Sequence, residues 1–221
     1  SYYEALVRIF ANGEMISPGS IFNVVEARRF EIELDQAVIR QLEKDLETGK
    51  IPEGTGVSLN LSAKTVTRAE ILDWLQPLQR FTDRYKIVLE VTETAVIDEL
   101  GKATAYLEKL RDMQFVIALD DFGSGYSSVK YLAIMPVDIV KFDITIVQSL
   151  MDENQRVMIS RLAQMIDEVG HVLVAEGIED TELLEIVLQT GFHFGQGFLF
   201  GRAEAEPAII PSEKLLEYFP S

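Results

Sequence analysis

The chain has 221 residues, 48% of them hydrophobic, enough for one sizeable core and too apolar for a disordered segment. Its 36 acidic residues against 20 Lys and Arg leave a net charge of −16, which argues against nucleic-acid binding, since that rests on many cation–phosphate contacts. The chain has no cysteine, so disulfides, thiolate metal sites and a cysteine nucleophile are excluded.

Short apolar or β-branched runs alternate with helical patterns from end to end, the rhythm of an α/β protein. In chain order the expected strands are Glu4–Phe10, Val57–Ser62, Lys86–Glu93, Phe115–Phe122, Val137–Ile144, His171–Ile178 and Phe192–Gly201. The expected helices are Ile21–Thr48, Ala69–Phe81, Asp98–Met113, Ser127–Ala133, Asn154–Val169 and Thr181–Gln189, the last stopped by Gly191. Runs such as "IVLEV", "FVIAL" and "HVLVAE" are almost continuously apolar, as parallel strands buried on both faces are.

Six or seven such strands fit an open doubly wound sheet or a (β/α)8 barrel. An open sheet gathers its site at one switch point, whereas a barrel collects functional groups at the C-terminal ends of several strands. Here nearly every run ends in acids or amides: Asn60, Glu90 and Glu93, Asp120 and Asp121, Lys141 and Asp143, Glu176 and Glu179, Gln196. That pattern favours the barrel, one strand short, with the missing strand expected upstream of Ser1. A single domain over 1–221, incomplete at its N-terminus, follows. No apolar run approaches the roughly 20 residues of a membrane span and no signal peptide opens the chain, so it reads as cytoplasmic. A membrane anchor elsewhere in a longer parent protein stays open.

Carboxylates inside apolar strands are costly unless paired or bound to a cation. Lys141 is the one cation at these strand ends, and neither His nor Cys stands where a zinc site needs it; His171 and His193 read as structural. Oxygen donors suit hard ions such as Mg²⁺ or Mn²⁺. Such bound cations also reconcile an acidic protein with an anionic ligand. Two such ions can clamp the attacking and leaving oxygens of a phosphoryl displacement, which makes phosphodiester hydrolysis the natural reaction, with Lys141 holding the nucleophilic water. Each element alone has a plainer reading. "DDFG" could be a strand-to-helix turn with Asp as N-cap, "SLNLS" a strand exit, and Lys141 an internal salt bridge.

Seven segments in order cover nearly the whole chain: "YEALVR" at Tyr3–Arg8, "LNLSA" at Leu59–Ala63, "LEVTET" at Leu89–Thr94, "LDDFGSGYSSVKYL" at Leu119–Leu132, "DIVKFD" at Asp138–Asp143, "VAEGIED" at Val174–Asp180 and "GQGFLFGR" at Gly195–Arg202. Together they resemble the EAL domains, cyclic di-GMP-specific phosphodiesterases of bacterial second-messenger signalling. The resemblance implies a modified TIM barrel with one antiparallel strand, and hydrolysis of cyclic di-GMP to linear pGpG. It implies that Glu4, Asn60, Glu90 and Asp120 hold one metal, that Asp120 bridges to a second, and that Asp121 is the second ion's other carboxylate. Lys141 would orient the catalytic water and Glu176 be an essential acid. Leu6, Arg8, Glu179 and Gln196 would contact substrate, and Glu93 would anchor the loop after the two aspartates. Inhibition by Ca²⁺, a homodimer, and fusion to GGDEF or sensory domains are further implications. The family's usual "QPI"-like segment before the glutamate motif is missing here. The rival reading is a catalytically weak or inactive receptor or scaffold that binds cyclic di-GMP. The complete set of ligand positions and the intact "DFGSGYSS" loop favour the enzyme; another metal-dependent phosphodiester substrate is the remaining alternative.

Overall fold

The structure, a computed structural model, describes residues 2–92, 100–124 and 129–204. Glu93 and loop residues 125–128 lie outside them. The chain divides into two compact units, 1–118 with 132–136 and 119–131 with 137–221.

In the first unit β1 (Tyr2–Ala5), β4 (Gly56–Leu61) and β5 (Lys86–Thr92) pair in parallel, with Glu4 opposite Ser58 and Asn60 opposite Glu90. The single strand expected over Glu4–Phe10 is two. β1 ends at Ala5, and β2 (Ile9–Ala11) turns back through Asn12-Gly13 on β3 (Glu14–Ile16) as an antiparallel ribbon. Both turn residues have positive φ, 55° and 84°, the combination of a tight hairpin. The single helix expected over Ile21–Thr48 is also two, α1 (Pro18–Arg28) and α2 (Glu31–Glu47). Arg29 takes the left-handed conformation, φ 59°, while its N–H donates to the Glu26 carbonyl and that of Phe30 to the Val25 carbonyl. This is a C-terminal cap made without the glycine that usually marks it.

α2 buries Asp35, Ile39, Leu42 and Leu46, three or four residues apart as one helical face requires. After β4 come α3 (Ala63–Val66) and α4 (Ile71–Gln79); after β5, α5 (Leu100–Asp112). Leu59, Ile71, Leu75, Ile87, Leu89 and Leu107 are fully buried and form this unit's core.

β6 (Val116–Phe122) gives its first three residues to the first unit and its last four to the second. There it is followed in sheet order by β7 (Ile139–Phe142), β8 (Val172–Ala175) and β9 (Phe194–Gly195), with β7–β8 and β8–β9 parallel. Between them run α6 (Val129–Leu132), α7 (Ile144–Ser149), α8 (Glu153–Glu168) and α9 (Thr181–Thr190). Phe142 meets Phe122 and Phe192 edge-on, at 5.0 Å between each pair of ring centroids, a favourable aromatic geometry. The long strand expected over Phe192–Gly201 contracts to two residues, because Gly197 and Leu199 turn the chain against Ile178; Leu199 N–H donates to its carbonyl. Among the described residues, no helix is long and apolar enough to cross a membrane.

Candidate metal centre

In the first unit the parallel register puts Glu4, Ser58, Asn60 and Glu90 on one face of the sheet, since side chains two apart share a face. The Asn60 amide donates to Glu4 Oε1 at 2.8 Å. Glu90 is 1% exposed. The chain leaving Asn60 is pinned from below. Asp35, buried on α2, accepts from Ser62 N–H at 2.8 Å and from the Thr65 hydroxyl at 2.5 Å. Burial raises its pKa, and the bonds from Thr65 and Ser62 pull it back in part. Leu6 and Arg8 are exposed, and Arg8 Nη1 donates to the Val7 carbonyl.

In the second unit the two adjacent aspartates converge. A regular strand would send Asp120 and Asp121 to opposite faces. Asp121 instead has φ 56°, a conformation that Asp tolerates better than most side chains, and this departure turns its carboxylate toward that of its neighbour. Oxygens of Asp120, Asp121 and Glu176 all lie within 4.8 Å of one another. Glu176 arrives from the exit of β8, its N–H donating to the Phe142 carbonyl at 3.1 Å. Lys141, 1% exposed on β7, places Nζ 2.9 Å from Asp120 Oδ1 and 2.8 Å from Glu176 Oε1. The salt-bridge reading of Lys141 therefore holds in the geometry, with Asp120 and Glu176 as its partners.

Gln196 follows β9 directly. Its N–H donates to the Ala175 carbonyl at 2.8 Å and its carbonyl accepts from Ile178 N–H at 3.0 Å, which ties it to the segment carrying Glu176. Glu179 is exposed. Asp143, one of the polar strand ends, is the N-cap of α7, accepting from the N–H and hydroxyl of Thr145. Both histidines are structural: His171 Nδ1 lies 3.1 Å from the Val137 carbonyl, and His193 Nδ1 accepts from Leu173 N–H at 3.0 Å.

Glu176, expected as an essential acid from its strand-end place and the "VAEGIED" segment, stands among the metal-capable carboxylates. Sequence reasoning missed Asp35, which falls on the apolar stripe of α2, where an acid is out of pattern. The donors of the second-unit cluster are all carboxylate oxygens beside one ammonium, a set that fits a hard divalent cation.

The family model of the EAL domain matches residues 1–203. Curated relatives include the cyclic di-GMP phosphodiesterase PdeL of Escherichia coli, 30% identical over 84% of this chain and 53% of that protein. PdeA of Borreliella burgdorferi, named for the same activity, is 26% identical over 91% of this chain and 31% of that protein. The solved EAL enzyme Bd1971, in its cAMP- and cyclic-di-GMP-bound form, superposes with a TM-score of 0.79 at 27% identity, over 90% of this chain and 56% of that one. The fold is thus α/β of the TIM-barrel-like EAL type. The chain spans about half or less of the length of these curated relatives.

Proposed function

We propose, for a chain that belongs to the EAL domain family, that it is a metal-dependent phosphodiesterase cleaving one phosphodiester of cyclic di-GMP to give linear pGpG. The observation that carries this reading is the convergence of Asp120, Asp121 and Glu176 around the buried Lys141 ammonium. Bound Mg²⁺ or Mn²⁺, two ions in this reading, would supply a Lewis acid for a phosphate oxygen and a water acidic enough to deprotonate near neutral pH.

The chain's own groups have distinct tasks. Glu4, Asn60, Glu90, Asp120 and Asp121 are assigned as oxygen ligands. The Asn60–Glu4 hydrogen bond orients the glutamate. Lys141, beside Asp120 and Glu176, holds the nucleophilic water, and Glu176 accepts the proton of that water. Arg8, with a fixed charge and several donors, meets a substrate phosphate. Leu6, Glu179 and Gln196 line the substrate, and Glu93 anchors the loop after the aspartates.

The match over residues 1–203 supports a single catalytic domain. The reading carries with it a cytoplasmic location, a homodimer, inhibition by Ca²⁺, and fusion to GGDEF or sensory domains. The test is incubation with cyclic di-GMP and Mn²⁺ or Mg²⁺, followed by chromatography. The expected product is pGpG. Binding without pGpG would replace the enzyme by a receptor or scaffold, and no binding at all would remove the substrate assignment.

A further inference from the structure

Two of the three clustered carboxylates are followed closely by a glycine whose side-chain space is filled by an isoleucine. Gly123, two residues after Asp121, has φ 97°, and a methyl group built on it would lie 1.8 Å from Ile146 Cδ1 and 2.8 Å from its Cγ1. Gly177, next to Glu176, has φ 71°, and a methyl group there would lie 2.1 Å from Ile144 Cγ1. Both isoleucines belong to α7, the short helix that begins three residues after Lys141. One helix therefore presses one side chain into the turn behind Asp121 and another into the turn behind Glu176. Backbone bonds hold the same frame: Asp143 N–H to the Phe122 carbonyl at 3.1 Å, and Glu176 N–H to the Phe142 carbonyl at 3.1 Å. The Asp143 cap fixes where the helix starts.

We propose that Ile144 and Ile146 are positioning residues that set where the Asp120–Asp121 turn and Glu176 stand relative to Lys141. Close-packed interiors transmit small displacements instead of absorbing them, and an oxygen-ligand site for a small divalent ion tolerates little misplacement. Truncating either isoleucine frees the turn it supports while leaving every ligand residue unsubstituted. The inference rests on the metal reading above.

The test titrates Mn²⁺ into the chain by electron paramagnetic resonance, with thermal unfolding measured alongside. Ile144→Ala and Ile146→Ala should each weaken Mn²⁺ binding by about 10- to 100-fold, the range typical of groups that support metal ligands. Ile159→Ala, a buried position on α8 in the same unit, should lower the melting temperature and retain wild-type affinity. Gly123→Ala should also weaken binding. Adding Ile146→Ala removes the two atoms its methyl would strike, so the double variant should bind more tightly than Gly123→Ala alone. If an alanine variant does not fold, Ile146→Val, which loses only Cδ1, should show a smaller loss of affinity. Alanine variants with wild-type affinity, or an equal loss in Ile159→Ala, overturn the proposal alone. A wild-type chain that binds no Mn²⁺ overturns the metal reading and this proposal with it.

Discussion

Replacing Lys141 by Met separates the charge at the centre from its volume. Nζ stands 2.9 and 2.8 Å from two carboxylate oxygens. At an effective dielectric near 20 each contact is worth about 6 kcal/mol of gross attraction. Most of that is consumed by desolvating an ammonium that is 1% exposed, a cost of several kcal/mol per ion. Met restores the apolar volume but removes the ammonium that pairs with both Asp120 and Glu176. Breaking a buried pair in this way costs about 3–5 kcal/mol, or roughly 6–20 °C in melting temperature for a chain of this size. The two carboxylates keep some access to water, 13% and 18% exposed, which favours the lower end of that range. A divalent cation substitutes for the lost charge, so millimolar Mg²⁺ should raise the melting temperature of Lys141→Met more than that of the wild type. Turnover should stay about 10²–10⁴-fold down at saturating metal, the usual contribution of a group that assists proton transfer. Thermal unfolding with EDTA and with MgCl₂, and pGpG formation by chromatography, read all three effects. A metal-free variant as stable as the wild type, or an equal Mg²⁺ shift in both proteins, would refute the electrostatic account.

Asp35→Ala should cost about 1–3 kcal/mol in urea unfolding, because Ser62 N–H and the Thr65 hydroxyl lose their acceptor. With the Asp35 pKa raised in the fold above the ordinary 3.8, the folded chain holds a proton that the unfolded chain has already released. Wild-type stability relative to Asp35→Asn should therefore fall as pH climbs from about 3.8 toward the raised value, then level off; a difference independent of pH would contradict the burial. Glu4→Gln keeps an acceptor for Asn60 and should leave the melting temperature nearly unchanged while lowering Mn²⁺ affinity, as seen by titration. Gly197→Ala puts a methyl group 2.1 Å from the Ile178 carbonyl oxygen and 2.4 Å from its nitrogen. These are backbone atoms that cannot rotate away, so urea unfolding should show a loss of about 1–3 kcal/mol, accompanied by reduced pGpG formation as Gln196 shifts.

The strands of the sheet were legible because buried parallel strands are apolar without interruption, and β4, β5 and β6 begin and end within a residue or two of expectation. The failures share a cause: in each, a backbone device had no residue-type signal or a weak one. The break at Arg29 uses a left-handed arginine where glycine is the usual mark. The β2–β3 ribbon turns on Asn12-Gly13, a recognised hairpin dipeptide, but its three-residue strands are too short to establish an alternation. The short helices α3 and α7 are set by Ser62 and Asp143 as caps, residues that also pass for strand-end ligands.

Asp143 shows why strand-end polarity alone could not define the site. It ends the same strand that carries Lys141, yet its carboxylate is occupied by the N–H and hydroxyl of Thr145. Asp120 and Glu176 instead meet an ammonium. In the sequence all three are acids at the end of an apolar run. What separates them is the backbone after each. A helix beginning at the next residue offers free N–H groups and captures the carboxylate as a cap. A turn that passes through a glycine at positive φ, as at Gly123 and Gly177, offers no helix N-terminus at the next residue, and the carboxylate before it meets a cation instead. The informative unit is therefore the acid together with the glycine just behind it, "DFG" and "EG". By the same rule Asp180, with α9 starting at Thr181, is a cap, and it accepts from Leu183 N–H at 2.8 Å.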